Sequence, residues 1–452
     1  MDVRLVFAGI VVASISLVGC GGGGTSGTGY TPPPANPVLS SIAVTPANSD
    51  MTVGSTQQLK ATGTLSDGST QDLTATAQWA SGTSDIVSVA SSGIATSVAV
   101  GQATITANSG SVSGSVTIHA VGVKDVWNPT GKLTQALDVT NLVVLANGKV
   151  LAEHDVTGPS GQVTFETYDP AMGTWSAAGT YPSGERGGGH SLTLLPDGKL
   201  LYAGGQTSLT LCVSTAVLYD PVTQAITLTG SMVGAHSHHS ATLLHDGTVL
   251  VAGGCQGIAS EVYDPTPGTW STVGNMLHVR GAGFLATLLN DGRVLVTGGS
   301  VPEAEIYDPV NKTWSAAGTM STPRVAHSAT LLPDGRVLVA GGEVGGTRLA
   351  TSEIYDPTAN TWTSSAPMAD ARSFFGATLF SGKVLVAGGA TAPGGLLAKA
   401  ELFDPASGTW SAIASLGTAR ENAPAVTLPS GAVLVIGGET SHGPTDSVEI
   451  YQ

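Results

Sequence analysis

Residues 327–342 read HSATLLPDGRVLVAGG, and near-copies of this stretch recur through the last three quarters of the chain. Two short apolar runs flank the Pro-Asp-Gly turn at 333–335, in which Pro presets φ, Asp caps the turn and Gly accepts a positive φ. The pattern predicts a β-hairpin that ends at the diglycine of residues 341–342. A third strand ending before Pro357 and a fourth around Trp362 complete a four-stranded unit.

The diglycine recurs at spacings of 43 to 50 residues, with His154 and Asp155 in its place in the first repeat. Its copies begin at Gly204, Gly253, Gly298, Gly341, Gly388 and Gly437. A unit of this length is too small to bury its own faces, so the seven units are expected to stack radially. The order diglycine, Glu-Ile-Tyr-Asp-Pro, Thr-Trp resembles the kelch repeat over about residues 123–452. The resemblance implies an all-β fold, a seven-bladed β-propeller.

The spacing of the tryptophans predicts how the two ends of the repeat region meet. Trp270, Trp314, Trp362 and Trp410 each stand ten residues before an Arg, but the final repeat stops at Tyr451 and Gln452 without such a Trp. Trp127 stands ten residues before Leu137, the residue at the Arg position of the first repeat. Val126 and Trp127 are therefore predicted to complete the last blade and remove an open edge.

The N-terminus predicts export. Residues 1–20 contain an apolar run, Leu5–Val18, that is shorter than the ~20 residues needed to span a bilayer. The run ends in LVGC, which resembles the lipobox of bacterial lipoproteins and implies acylation of Cys20; an ordinary secretory signal is the alternative. Residues 21–38 are rich in Gly, Ser, Thr and Pro and are predicted to be a flexible tether. By analogy with enterobacterial sorting, Gly21 implies the outer membrane or the cell surface, with a lipid anchor as the sole membrane contact.

Residues 39–122 carry short alternating strands separated by turn signals. Their pattern, SIAVTPANSD followed by AQWASGTSDIVSVASSGIATS, resembles the bacterial Ig-like group 2 family. The resemblance implies a β-sandwich with Trp79 as its core aromatic residue. Such modules serve as stalks or adhesive units, so a stalk without chemistry is expected here, preceding a propeller at residues 123–452.

The charge balance limits the partners. The net charge is −15 and the whole chain has 17 Lys and Arg, which argues against nucleic acid as a partner, because neutralising its phosphates requires clustered cations. We therefore expect a protein or glycan ligand, a monomeric protein and no cofactor.

A recurring cation gives the main candidate for ligand binding. One repeat position carries Arg186, His236, Arg280, Arg324, Arg372 and Arg420. The connections after the diglycines and those entering each first strand lie on one face, here called the top face, and the arginines are expected at its centre. There they would attract an anionic group. The alternative is structural, because a Glu recurs on the third strands and each Arg could pair with one.

Histidines and cysteines supply two weaker candidates. His236, His238 and His239 lie close together in AHSHHSA, which makes a copper or zinc site conceivable, but no further ligand completes it by spacing, and no metal is predicted. If Cys20 is acylated, Cys212 and Cys255 remain, and a disulfide between top connections of neighbouring repeats is predicted. Two free thiols or a metal pair are the alternatives.

The copper-radical oxidases are the enzymes with which this chain can be compared. Galactose oxidase and glyoxal oxidase resemble this chain in having a kelch propeller, and their copper site needs a Tyr directly before a His at the start of a first strand. The residues before His190, His239 and His327 are Gly189, His238 and Ala326. No catalytic residue of that family is therefore carried over. A recognition or adhesion module is the first hypothesis, an exported carbohydrate-active enzyme of oxidase or epimerase type the second, and a structural envelope protein the third.

Overall fold

The computed structural model describes residues 36–155, 162–182, 187–208, 211–392 and 394–452. The predicted signal (residues 1–20), its Cys20, nearly all of the tether and Arg186 lie outside these ranges. The described residues contain β-strands and a single 3₁₀ turn, Gly254–Gln256, but no α-helix. No helix in this part of the chain has the length and apolar character needed to cross a bilayer.

The N-terminal part is built from three small sheets. One contains Leu39–Thr45, Lys60–Leu65 and Thr70–Asp72; the second contains Ser49–Thr52, Val112–Val121, Gly101–Ser109 and Gln78–Ser81; the third contains Thr56–Gln58, Ile94–Ser97 and Val87–Val89. Alternate side chains of the longest strands are buried, as in Gly101–Ser109, because successive residues of a strand point to opposite faces. The sheets therefore enclose one apolar core.

Trp79 does not occupy that core as the resemblance implied. The core consists of smaller residues, among them the fully buried Leu59, Ile86 and Ile105. Trp79 is half-buried and packs against this cluster from its margin. Its indole N–H donates a hydrogen bond to the carbonyl of Thr74 at 2.9 Å, so the polar edge of the ring must stay near the backbone at the surface.

In the described residues seven antiparallel sheets of four main strands follow, and in the first six the strands are joined in sequence order. Sheet 1 contains Val139–Val144, Val150–Asp155, Gln162–Asp169 and Thr174–Pro182; sheet 2, Gly187–Leu194, Leu200–Ser208, Ala216–Tyr219 and Ile226–Leu228, with Leu211–Cys212 added to its second strand; sheet 3, Ser240–Leu243, Val249–Ala252, Ser260–Asp264 and Thr269–Thr272; sheet 4, Phe284–Leu288, Val294–Gly298, Glu303–Asp308 and Thr313–Thr319. Sheet 5 contains Ser328–Leu331, Val337–Ala340, Ser352–Asp356 and Thr361–Ser365; sheet 6, Gly376–Phe380, Lys383–Ala387, Ala400–Asp404 and Thr409–Ile413; sheet 7, Ala425–Thr427, Val433–Ile436, Val448–Tyr451 and Trp127–Pro129.

The fourth strand of sheet 7 comes from the N-terminal side of the repeats. Trp127–Pro129 pairs antiparallel with the last strand, and Trp127 stands opposite Tyr451. Their rings lie 5.2 Å apart, as the Tyr and Trp of the other sheets do; Tyr355 and Trp362, for example, are 5.1 Å apart. The two ends of the repeat region are therefore held together by strand pairing and by an aromatic contact.

Each diglycine makes room for the neighbouring sheet. A Cβ on Gly253 would lie 2.9 Å from the ring of Phe284, and one on Gly341 would lie 2.7 Å from the ring of Phe375. Both rings belong to the start of the next first strand. The glycine is required because a larger residue would push neighbouring sheets apart.

The propeller core lies between the sheets rather than at one centre. A separate cluster of buried apolar side chains fills each junction of neighbouring sheets from sheet 1 to sheet 7. A further cluster joins sheet 7 to sheet 1 and contains Leu434, Ile436, Val150 and Ala152. Each sheet is thus stabilised by burial against both of its neighbours.

Three top connections form two-stranded ribbons beyond the diglycines. Glu343–Val344 pairs with Thr347–Arg348, Ala390–Thr391 with Gly395–Leu396, and Glu439–Thr440 with Gly443–Pro444.

The Ig-like part is docked on sheets 7 and 1. The amide of Val100 donates to the carbonyl of Pro129 at 2.9 Å, and the amide of Gln102 donates to the carbonyl of Met172 at the same distance. A Cβ on Gly101 or on Gly173 would overlap the backbone across this contact. Two strips of backbone therefore meet with no side chain between them.

Candidate functional site

A cavity of about 260 Å³ opens on the top face where the first strands of sheets 1 to 4 begin. We call it the mouth pocket. It is lined by Thr140, Asn141, Gly188, Gly189, His190, His238, His239, Gly283 and Phe284. Its polar side chains are amide, imidazole and hydroxyl groups, and none of its lining residues is Lys or Arg.

Left-handed backbone shapes the rim of this pocket. Positive φ angles occur at Gly189, His238, Gly283, Ala326, Phe374 and Asn422, immediately before or within the start of a first strand. The amide of His238 donates to the carbonyl of Gly189 at 2.7 Å, and that of Asn422 donates to the carbonyl of Phe374 at 2.8 Å. A left-handed conformation costs a non-glycine residue about 1 kcal/mol or more, so these sheet-to-sheet bonds hold the rim in a strained but defined shape.

A buried carboxylate lies behind the pocket. Glu153, in the second strand of sheet 1, is fully buried and forms a short hydrogen bond with Nε2 of His190, whose side chain is 2% exposed. Asn141 donates from Nδ2 to the second oxygen of Glu153 at 2.8 Å. The His190 ring also stacks on Tyr202, with the ring centres 4.1 Å apart. Two pocket-lining side chains are therefore held by one carboxylate.

The equivalent histidines in other sheets contact neutral hydroxyl groups. Nε2 of His239 lies 2.9 Å from the hydroxyl of Ser191, and Nε2 of His327 lies 3.0 Å from that of Thr297. Burial, with smaller contributions from three neighbouring imidazoles, lowers the pKa of His239 to about 3. His239 is therefore neutral across the physiological range and brings no charge to the pocket wall.

The top face of sheets 7 and 1 is acidic. Glu439, Glu421 and Asp138 lie together there, and burial, followed by the charges of Asp138 and Glu421, raises the pKa of Glu439. A carboxylate with a raised pKa is one whose surroundings disfavour further negative charge.

The arginine position is occupied by buried ion pairs. Arg280, Arg324, Arg372 and Arg420 donate from Nη2 to Glu305, Glu353, Glu401 and Glu449 at 2.8, 3.0, 2.7 and 2.8 Å. The Nη1 atom of each donates to the carbonyl of a first glycine, for example that of Gly341 at 2.8 Å. All four side chains are 0% exposed.

This geometry is the pairing alternative that the sequence left open. A guanidinium with no exposed atom has no donor to offer a ligand, so the arrangement does not support the anion-binding ring. Burial lowers the pKa of Arg372, and the charge of Glu401 opposes the shift. The arginines hold each third strand to the connection that enters the first strand.

His236 takes the same place in sheet 3. Its Nδ1 lies 2.8 Å from the carbonyl of Gly253 and its Nε2 lies 3.1 Å from Glu261, the two contacts that an arginine makes in the other sheets. Sheet 1 departs further, because Leu137 stands at this position and His154 lies 3.4 Å from Glu166. Burial lowers the pKa of His154, although both neighbouring glutamates oppose the shift.

A disulfide joins the top connections of sheets 2 and 3. It links Cys212 to Cys255, whose Cα atoms are 6.5 Å apart. The amide of Cys255 also donates to the carbonyl of Ser237 at 3.2 Å, and Val213 bridges to His236. The bond therefore clamps the segment that carries His236, His238 and His239.

Those three histidines do not converge. His236 is directed to Glu261, His239 to Ser191, and His238 to Gln206, whose amide nitrogen is 3.0 Å from Nδ1 of His238. Within the described ranges, no group of three or more His, Cys, Asp or Glu side chains is arranged to hold a metal ion. The donors among the described residues therefore do not fit a copper centre.

Sequence reasoning missed the two residues that organise the pocket, Asn141 and Glu153. Glu153 stands directly before His154 and Asp155, at the position that holds Ala or Thr before most diglycines. A carboxylate at an otherwise apolar repeat position was the available signal. A comparison of the repeats for shared residues does not detect Glu153, because this carboxylate occurs in one repeat only.

Comparison with known proteins agrees with the architecture. The model of the Kelch motif matches residues 324–369 and 371–417, and that of the bacterial Ig-like domain (group 2) matches residues 38–120. A solved fungal alcohol oxidase of the AA5 family, in complex with copper, is similar in structure, with a TM-score of 0.62 and 18% identity over 73% of this chain and 76% of that chain. At this identity the likeness shows the fold alone. No curated protein matches the sequence.

Proposed function

We propose that this chain, a bacterial Ig-like domain followed by a Kelch β-propeller, is an exported, lipid-anchored envelope protein that binds a carbohydrate in the mouth pocket. The anchor would be Cys20, and the location the outer membrane or the cell surface. Radiolabelled palmitate that fails to mark Cys20 would remove the anchor from this proposal.

We further propose that the seven sheets close into one ring. Support comes from Trp127–Pro129, which pairs with the last strand of the chain, and from the apolar cluster that joins sheet 7 to sheet 1. A closed ring brings the starts of the first strands together, which would make the mouth pocket part of a central opening.

The single observation that carries the ligand class is the chemistry of the pocket wall. The wall carries one amide and three imidazoles, from Asn141, His190, His238 and His239, and no Lys or Arg lines the pocket. The volume of about 260 Å³ is close to the lower limit of roughly 300 Å³ for small-molecule sites, which suits one sugar ring. The acidic top face of sheets 7 and 1 favours a neutral ligand over an anionic one.

The test is a ligand-observed NMR screen of neutral monosaccharides against the full-length protein. We expect at least one neutral sugar to bind, and expect a weaker but measurable affinity in Asn141→Ala. A protein that binds no sugar, or binds one equally well in Asn141→Ala, would contradict a carbohydrate site in this pocket. Binding of an envelope protein on the same face would then become the better hypothesis.

An enzyme acting on carbohydrate is the second candidate, and the buried pair of Glu153 and His190 favours it. A carboxylate beside an imidazole at a pocket wall is an arrangement suited to proton transfer. This alternative is of the epimerase type, without copper. New sugar resonances appearing in the same NMR samples over time would favour the enzyme, and an unchanged spectrum would favour recognition.

A further inference from the structure

Glu153 breaks the repeat at a position where no carboxylate is needed for folding. The residues directly before the diglycines are Ala203, Ala252, Thr297, Ala340, Ala387 and Ile436. At Thr297 a hydroxyl contacts Nε2 of the histidine of the next sheet, His327, at 3.0 Å. A neutral residue at position 153 could satisfy His190 in the same way.

Burying a carboxylate at this position costs more free energy than burying a hydroxyl group. Removing an ionised group from water is unfavourable unless its oxygens are hydrogen-bonded and its charge is compensated. Glu153 is 0% exposed, and its two oxygens receive bonds from Asn141 and His190, both of which line the mouth pocket. The carboxylate thus acts on the pocket without touching its contents.

The hydrogen-bond chemistry fixes the orientation of both partners. An ionised carboxylate can only accept, so the atoms facing it must be donors. The Asn141 amide therefore turns its NH₂ group to Glu153 and its oxygen away. Nε2 of His190 must likewise carry a proton.

We propose that Glu153 is the positioning residue that sets the ligand class of the mouth pocket. By holding the Asn141 oxygen outward as an acceptor, it selects neutral ligands that donate O–H bonds, such as the hydroxyl groups of a monosaccharide. Its buried negative charge also disfavours a ligand carboxylate. This inference rests on the proposed carbohydrate function and names the chemistry that the same pocket would prefer.

The first test compares glucose with glucuronate, which differ by a carboxylate at one end of the same ring. The full-length protein is expected to bind glucose at least tenfold more tightly than glucuronate. In Glu153→Gln a side-chain amide can satisfy only one of its two partners, so the other must turn. We expect a roughly tenfold or greater loss of glucose affinity and a smaller preference over glucuronate.

A double-mutant cycle separates positioning from a general structural effect. If Glu153 acts through Asn141, adding Glu153→Gln to Asn141→Ala should change glucose affinity by less than about twofold. Additive losses would overturn the proposal. Thr297→Val is the matched control, because it removes the equivalent contact to His327 away from the pocket and should leave glucose affinity unchanged.

A second measurement does not depend on a sugar. Long-range ¹H–¹⁵N NMR of the imidazole nitrogens should show Nε2 of His190 protonated in the wild type. The same spectrum should show a changed or averaged state in Glu153→Gln. An unprotonated Nε2 in the wild type would refute the positioning role. Failure of the wild type to bind either sugar, with Nε2 protonated, would instead refute the proposed function.

Discussion

Sheets 4 to 7 and sheets 1 to 3 use the same strand order but differ in what they hold. In sheets 4 to 7 the same ion pair recurs four times with nearly the same distances, between 2.7 and 3.0 Å. In sheet 3 a histidine replaces the arginine, and in sheet 1 a leucine does. Sheets 1 to 3 also carry the disulfide, part of the contact to the Ig-like domain and most of the mouth pocket.

The difference indicates a division between scaffold and site. Where every repeat position is satisfied in the same way, the arginines are enclosed and cannot contact a ligand. Sheets 1 to 3 depart from the repeat. They contain a buried carboxylate, Glu153, and three histidines that each contact a different partner, and they include part of the contact to the Ig-like domain. Departures from the repeat therefore locate the candidate function better than the repeated residues do.

The largest effect should come from breaking one pair in the regular half. Arg324→Leu leaves Glu353 buried without its cation, and we expect a loss of about 3–5 kcal/mol in the free energy of unfolding. Urea unfolding measures this loss. Replacing both residues by Leu should recover much of it, because buried pairs are often no better than apolar side chains.

The matched change in the irregular half is His236→Leu. Glu261 keeps two backbone N–H bonds there, from Val233 and Gly234 at 2.6 Å each, just as Glu353 keeps two bonds from Ser321. The histidine makes two hydrogen bonds where Arg324 makes four, so a smaller loss is expected than for Arg324→Leu. Equal losses would erase the distinction between the halves.

A smaller difference in stability is expected when the same glycine is replaced in equivalent turns of the two halves. Gly173 in sheet 1 and Gly408 in sheet 6 both have positive φ, and sheet 5 has Asn360 in the same conformation. Gly173→Asn should lose about 1–3 kcal/mol, because any Cβ there overlaps Val100, whereas nothing lies within 4 Å of a Cβ on Gly408. Calorimetry should show a lower Tm for Gly173→Asn alone; a similar drop for Gly408→Asn would mean that φ, and not domain contact, requires the glycine.

The smallest difference is expected in the response to acid, because both halves bury a neutral histidine. Burial, aided by the charges of Arg324 and Arg280, lowers the pKa of His327 to about 3. The unfolded chain takes up a proton near pH 6.5, so the stabilising contribution is complete above that pH and is lost as the pH falls toward 3. Each such histidine should contribute about 1.4 kcal/mol per pH unit to that decline.

Phenylalanine stands at the equivalent position in the neighbouring sheets, as Phe284 and Phe375. His327→Phe should therefore lower the slope of the unfolding free energy against pH by the contribution of one proton. His239→Phe should do the same in sheet 3, since its pKa is also about 3. The readout is the slope between pH 6 and pH 4.5, and not the absolute stability. An unchanged slope in either variant would contradict the assignment of a neutral histidine there.

The hairpins and the order of the strands could be predicted because they depend on local turn chemistry repeated along the chain. Trp127 could be placed beside the last strand because its spacing to position 137 copies that of the other tryptophans. Burial of the arginines could not be decided from sequence. It depends on carbonyl groups, such as that of Gly341, that approach Nη1 only in the folded chain. Asn141 and Glu153 were missed because their role depends on a contact between two different sheets.

The docking of the Ig-like domain has a mechanical consequence. A pull from the N-terminal side would otherwise pass through residues 122–126 and peel Trp127–Pro129 away from the last strand, one hydrogen bond after another. The bond from Val100 holds Pro129, the far end of that strand, and the bond from Gln102 to Met172 ties the Ig-like domain to sheet 1. Tension is therefore shared with sheet 1 and loads these backbone bonds together, so the strand that joins the chain ends is shielded from peeling.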